Sequence, residues 1–149
     1  MPKASVKRLI ECNKEQLIDL VLDIESYPNF IPYCLDAKIY EKKEEKNLIL
    51  IIADLTIGKG PFKATYKSDV RFNRDKDTIQ VINIDGPLKH LDNRWLFIEK
   101  DKSTEIFFDI DFEIENKFLN IVMSKSFQYG LDKIADSFQK RANDLFRGK

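Results

Sequence analysis

Little in this sequence is equipped for chemistry. One histidine, two cysteines, five glycines and five prolines occur in 149 residues. Cys12 and Cys34 are too few for a disulfide framework and lack metal-ligand spacing, so they read as free thiols of a reducing compartment. Scarce glycine and proline, beside 43% hydrophobic and 34% charged residues, exclude a collagen-like, low-complexity or disordered chain. No run of about 18 apolar residues suggests a transmembrane helix. Lys7, Arg8 and Glu11 interrupt the first apolar stretch, against a signal peptide. The expectation is one soluble, cytoplasmic domain over residues 1–149, touching the inner membrane at most peripherally. Net charge is also missing, since 25 basic residues balance 25 acidic ones. A general nucleic-acid binder would be clearly basic. His90, in Leu88-Lys89-His90-Leu91, has no neighbouring nucleophile or orienting group and reads as a surface or edge residue. HExxH, Walker and GxGxxG patterns are absent. The chain is therefore expected to be no enzyme, with no catalytic residues, no metal and no cofactor.

What is present is periodicity. Residues 3–11 read as a strand. Asn13 is a good helix N-cap, and Gln16 three places on completes a capping box. Leu17, Ile18, Val21, Leu22 and Ile24 give that helix an apolar face. Ser26 is expected to cap a second short turn holding Tyr27, Pro28 and Phe30, with Pro32 ending it. Six strands follow, over residues 35–43, 48–57, 62–72, 78–85, 93–100 and 106–114. Gly58-Lys59-Gly60-Pro61 and Gly86-Pro87 supply turns between them. The fourth strand of the chain sends Phe62, Ala64, Tyr66, Val70 and Phe72 one way and Lys63, Thr65, Lys67, Asp69 and Arg71 the other. The last strand alternates most cleanly, with Ile106, Phe108, Ile110, Phe112 and Ile114 opposed to Asp109, Asp111, Glu113 and Glu115.

The period then changes to 3.6. From Asn116 one helix carries Leu119, Val122, Met123, Phe127, Leu131, Ile134, Phe138, Ala142 and Leu145 along a stripe. Strands that do not alternate with helices argue against a parallel α/β fold. They fit an antiparallel meander wrapped around the long helix, an α+β architecture. Its concave face is rich in Phe62, Tyr66, Phe72, Ile82, Ile84, Trp95, Phe97 and Phe108. Such residues either fill a core or line a cavity, and periodicity alone does not separate the two. Charge is local despite the zero total. Residues 59–76 carry six bases against two acids, and residues 99–115 seven acids against two bases. Lys63, Lys67 and Arg71 form either a solvated sheet surface or a basic stripe for phosphate, of a lipid headgroup or an RNA backbone.

Five segments, in order, carry a resemblance that spans nearly the whole chain. Ser26-Tyr27-Pro28-Asn29-Phe30-Ile31-Pro32-Tyr33-Cys34 resembles SYPxFxPxC. Asp85-Gly86-Pro87-Leu88-Lys89-His90-Leu91 resembles DGPFKxL, with Leu88 in place of the usual phenylalanine. Trp95-Leu96-Phe97 fits WxF, Asp109 to Lys117 is similar to LDFEFxNK, and Phe138-Gln139-Lys140-Arg141-Ala142 fits FxxRA. These are the motifs of the coenzyme Q-binding, polyketide cyclase-like START family, which includes bacterial ribosome-association toxins. The resemblance implies a helix-grip, Bet v 1-like fold. A seven-stranded antiparallel sheet would surround a long C-terminal helix, with two short helices after the first strand and a lipid-sized cavity between sheet and helix. Gly130 interrupts that helix, where glycine costs about 1 kcal/mol relative to alanine.

On this reading the cavity lining comes from Tyr27 and Phe30 beside the first helix, from Ala64, Tyr66, Ile82, Trp95, Phe97, Phe108 and Ile110 on the sheet, and from Phe127, Leu131 and Ile134 on the helix. Pro28, Gly86, Pro87 and Leu88 would frame the entrance. The expected ligand is ubiquinone or a related prenylated lipid, held by a carrier or chaperone of respiratory quinone. The alternative the family offers is a ribosome-association inhibitor that contacts the large ribosomal subunit through Lys63, Lys67 and Arg71. The sequence fixes no oligomeric state.

Overall fold

The computed structural model describes residues 3–31, 33–59, 62–85, 88–114 and 117–146, with side chains described outside 59, 62, 85, 88–89, 112, 114 and 117–130. Seven strands run β1 (Lys3–Ile10), β2 (Cys34–Glu45), β3 (Leu48–Lys59), β4 (Phe62–Asn73), β5 (Thr78–Asp85), β6 (Leu88–Lys100) and β7 (Ser103–Ile114). Helix α1 (Lys14–Leu22) and a 3-10 turn (Ile24–Asn29) follow β1, and helix α2 (Lys117–Phe146) follows β7. The strands form one antiparallel sheet in the order β1-β7-β6-β5-β4-β3-β2, with every neighbouring pair antiparallel. This is the helix-grip arrangement. Consecutive strands are hairpin neighbours, and only β1 reaches across the chain, to β7.

Local chemistry explains the elements. At the start of α1 the Asn13 side chain accepts from Gln16 N–H at 2.8 Å, and Gln16 reaches back to Asn13 N–H at 3.2 Å, closing the capping box. Leu17, Ile18, Leu20 and Val21 are buried beneath it. The cap of the 3-10 turn is Asp23 and not Ser26, whose hydroxyl is already bonded to the Asp23 carboxylate at 2.7 Å. Pro28 lies inside that turn, while Pro32 lies outside the described residues. Strand β6 starts five residues earlier than its hydrophobic pattern suggests, because Leu88 to Asp92 pair along β7 despite their polar content. A bulge between Leu88 and His90 absorbs the mismatch.

The buried residues fall on the concave side. They are Ala4, Val6 and Ile10 from β1, Ile49, Ile51 and Ala53 from β3, and Val70 and Phe72 from β4. Ile79, Trp95, Phe97, Ile106 and Phe108 complete the sheet's share. Strand β3 is apolar at nearly every position, yet only one face is fully covered. Leu50 and Ile52 lie half-exposed on the convex side.

One expectation is corrected here. Ile82 and Ile84 are not concave: they stand on the outer face, 39% and 52% exposed. Strand β5 carries apolar residues at both parities, and its pairing settles the choice. Phe72 opposite Ile79 and Val70 opposite Val81 set the odd positions inward.

Candidate functional site

The last four turns of α2 lie against the sheet through Leu131, Ala135, Phe138 and Ala142, a stripe of 3.6-residue period that is buried throughout. Phe138 is its hub. Its ring centre lies 5.5 Å from Tyr27, 5.3 Å from Phe30 and 5.2 Å from Trp95, each nearly perpendicular. Trp95 in turn lies 4.2 Å from Phe108 with the rings tilted by 32°. Four of the expected lining residues, Trp95, Phe97, Phe108 and Leu131, therefore belong to close-packed core. The cavity that Val6, Ile10, Trp95, Ile106, Phe108 and Phe138 line here has a volume of about 20 Å³. That is room for one water molecule and not for a lipid. Arg8 closes the edge of this region, its guanidinium bonded to Asp136 of α2 at 2.8 Å.

The concave face beyond this aromatic floor is less tightly filled. Leu55, Val81, Ile110 and Ile134 are only partly buried where they meet the core. Ala64 and Tyr66 are half-buried on the inner face of β4, next to Ile57 and Leu55 of β3. Tyr27 donates its hydroxyl to the Val21 carbonyl. Burial pushes the phenols of Tyr27 and Tyr66 well above their usual range, with Cys34 beside both and Tyr66 beside Tyr27 adding to the shift. Burial also pushes the Cys34 thiol up to about 11. The cluster is thus neutral at physiological pH, apolar in its bulk and polar only at hydroxyl and thiol tips. Just outside it Tyr33 holds φ at 66°, left-handed for a bulky residue, with its carbonyl accepting from Gly58 N–H at 2.9 Å.

The thiol gives a direct check. Its pKa rises from 9.0 to about 11, so at pH 8 the thiolate fraction should fall about a hundredfold relative to the unfolded chain. In a Cys12→Ala variant, reaction of Cys34 with a chromogenic disulfide reagent at pH 8 should be at least about tenfold slower in buffer than in denaturant, because the higher nucleophilicity of a high-pKa thiolate offsets part of the loss. Equal rates would show that the cluster is open and wet.

Of the remaining site residues, Pro28 is half-buried within the 3-10 turn and Ile134 is half-buried on α2. Gly86 and Pro87 lie outside the described residues, as do the side chains of Leu88 and Phe127. On the convex face Lys63, Lys67 and Arg71 do share one side of β4, but not as an open basic stripe. Arg71 is bound to Asp69 at 3.0 Å. Lys67 stands opposite Asp54 in the register, with its ammonium 4.7 Å from the ring centre of Tyr40. The Tyr40 hydroxyl donates to Asp54 at 2.8 Å. His90 lies half-exposed near the start of β6, an interior strand of the sheet, 3.5 Å from the Asp111 carboxylate. Among the described residues no group of three metal-ligating side chains occurs, and no helix is long and apolar enough to cross a membrane.

Two polar residues of the concave face were not anticipated. Ser68 is 2% exposed on β4, and Asn93 on β6 has a buried amide oxygen with no hydrogen-bond partner among the described residues. The signal for Ser68 was present: it holds the inward parity between Tyr66 and Val70.

Comparison with known proteins agrees with this fold. The chain is 29% identical over 144 residues to "Ribosome association toxin RatA" of Rickettsia prowazekii, covering 94% of this chain and 95% of that protein. It is also 29% identical over 134 residues to "Coenzyme Q-binding protein COQ10, mitochondrial" of Dictyostelium discoideum, covering 88% of this chain and 64% of that protein. The solution structure of an 18 kDa protein from Caulobacter crescentus superposes with a TM-score of 0.80 at 24% identity, over 97% of this chain and 98% of that one, which speaks to the fold alone. Residues 10–139, most of the helix-grip core, match the family described as polyketide cyclase / dehydrase and lipid transport, and the chain belongs to that family.

Proposed function

We propose that this protein binds a hydrophobic ligand, ubiquinone or a related prenylated lipid, between the concave sheet and α2. It then acts as a non-catalytic carrier or chaperone for respiratory quinone, with peripheral contact at the inner membrane. The observation that carries the reading is the unequal filling of the concave face. An aromatic floor is packed around Phe138, and beyond it Leu55, Ala64, Tyr66, Val81 and Ile110 remain only partly covered. Apolar lining with a few polar tips is what a small-molecule site presents. Burial of an isoprenoid tail there would contribute about 25 cal/mol per Å². A catalytic role has less support, because Cys34 is held as a thiol and His90 is half-exposed beside Asp111. The coenzyme Q-binding relative adds to the reading by its name.

The second reading, association with the large ribosomal subunit, is favoured by the toxin relative, which aligns over nearly all of both chains. It would use the convex face, where Lys63 is exposed. Organic extraction of natively purified protein, read by mass spectrometry, separates the two. Recovery of a quinone or prenylated precursor near one per chain is the expected result. An empty protein that also takes up no added quinone would overturn the carrier reading. Co-sedimentation with ribosomal subunits, lost on Lys63→Glu, would then establish the second.

A further inference from the structure

Three polar side chains of the concave face have work left to do. Tyr66 and Ser68 are successive inward residues of β4, and Asn93 is inward on β6. Among the described residues the Asn93 amide oxygen is the one of these groups buried without a hydrogen-bond partner. For Asn93 the amide oxygen is buried outright, and Ser68 is only 2% exposed. A buried polar atom without a partner is costly, and native structures hold few of them. A core built only for stability would place apolar residues here, as it does one row away with Phe72, Ile79, Trp95 and Phe108.

The register puts the three groups together. Ser68 pairs with Asn83, and Val81, two residues back on β5, pairs with Asn93. Ser68 and Asn93 are therefore separated by a single strand and offset by two residues along it, about 12 Å on the diagonal from two strand spacings and two residue rises. Tyr66 lies one pleat along from Ser68 on the same face. Both are at the edge of the aromatic floor, on the side of the half-covered residues Leu55 and Val81. A hydroxyl at one side and a carboxamide at the other can donate to, or accept from, oxygens on opposite edges of one flat ring.

We propose that Tyr66, Ser68 and Asn93 form a polar subsite that hydrogen-bonds the oxygenated ring of a neutral ligand, so that the ring enters first and rests on the aromatic floor while the apolar tail trails toward the mouth. The proposal rests on the ligand reading above and sharpens it. It selects a ring bearing carbonyl or hydroxyl oxygens over an alkyl chain or a fatty acid. The surrounding burial, which keeps the Tyr66 phenol and Cys34 thiol protonated, suits a neutral head and opposes a carboxylate.

The test uses two probes of matched tail added to the full-length protein in dilute detergent: decylubiquinone, followed by quenching of Trp95 fluorescence, and decylbenzene, followed by its displacement of decylubiquinone and recovery of that fluorescence. Tyr66→Phe and Ser68→Ala each remove one hydroxyl and almost no volume. Each should weaken decylubiquinone about three- to tenfold, the effect of one lost hydrogen bond. Decylbenzene affinity should be unchanged. If these hydroxyls serve the ligand and not the fold, the melting temperature of either variant should hold or rise, whereas a structural hydroxyl would lower it. Equal weakening for both probes, or no weakening for either, would overturn the subsite while leaving the carrier reading intact. A wild-type protein that binds neither probe would instead overturn the carrier reading itself.

Discussion

Phe138→Ala should lower the free energy of unfolding by about 3–5 kcal/mol. The ring is 5% exposed and is the point where four segments meet: α2 itself, the 3-10 turn through Tyr27, the residue after that turn through Phe30, and β6 through Trp95. Truncation removes the transfer energy of the ring and three edge-to-face contacts, and the hole cannot close. The sheet below it is fixed by its ladder, and Ala135 and Ala142 on either side are too small to follow. Denaturant unfolding checks this, with Leu145→Ala as the comparison. Leu145 is only partly buried at the last turn of the helix and should cost well under half as much. Similar losses at both positions would mean that α2 frays as a unit and that Phe138 is not its anchor.

That hub was legible in part. The sequence stripe placed Phe138 on the helix face that meets the sheet, and the alternation of β7 and β4 placed Phe108 and Phe72 inward, because in these strands only one parity is apolar. Strand β5 resisted the same rule. Ile79, Val81, Ile82 and Ile84 occupy both parities, so only pairing with Phe72 and Trp95 reveals that Ile82 and Ile84 face solvent. Asn93 resisted for the opposite reason: asparagine is assigned to the surface on chemistry alone, and its inward place follows from lying two residues from Trp95 and Leu91 on one pleat. The basic stripe shows what spacing omits. Asp69 as a partner of Arg71 is visible two residues away in the sequence, but Asp54 beside Lys67 exists only once β3 and β4 are in register. Phe72, Trp95, Phe97, Phe108 and Phe138 are buried as their periodicity suggests, while the side chains of Phe62, Phe112 and Phe127 lie outside the described residues; whether aromatics fill or line was not a property of their spacing, and the ring distances around Phe138 decided it for one end of the molecule.

Ala64→Trp should abolish quinone uptake, lowering affinity for decylubiquinone by at least about thirtyfold, while the fold survives. Ala64 is half-buried on the inner face of β4, opposite Ile57 and two residues from Tyr66, so an indole there fills the partly covered half of the concave face. Overpacking in a closed core costs about 1–3 kcal/mol, and a position with residual exposure belongs at the lower end of that range. The control is Ala53→Trp, one strand away on β3 at 1% exposure, which should unfold the protein or nearly so because no space remains beside it. Leu131, at 2% exposure, is ruled out as a blocking position on the same ground, since a polar residue there would break the packing of helix on sheet before it blocked anything. The contrast between Ala64 and Ala53 is what makes the result informative. If both variants fold and both still bind, the ligand does not enter between sheet and helix. If Ala64→Trp is as damaging to stability as Ala53→Trp, the concave face is solid throughout, and function then has to be sought on the convex surface around Lys63.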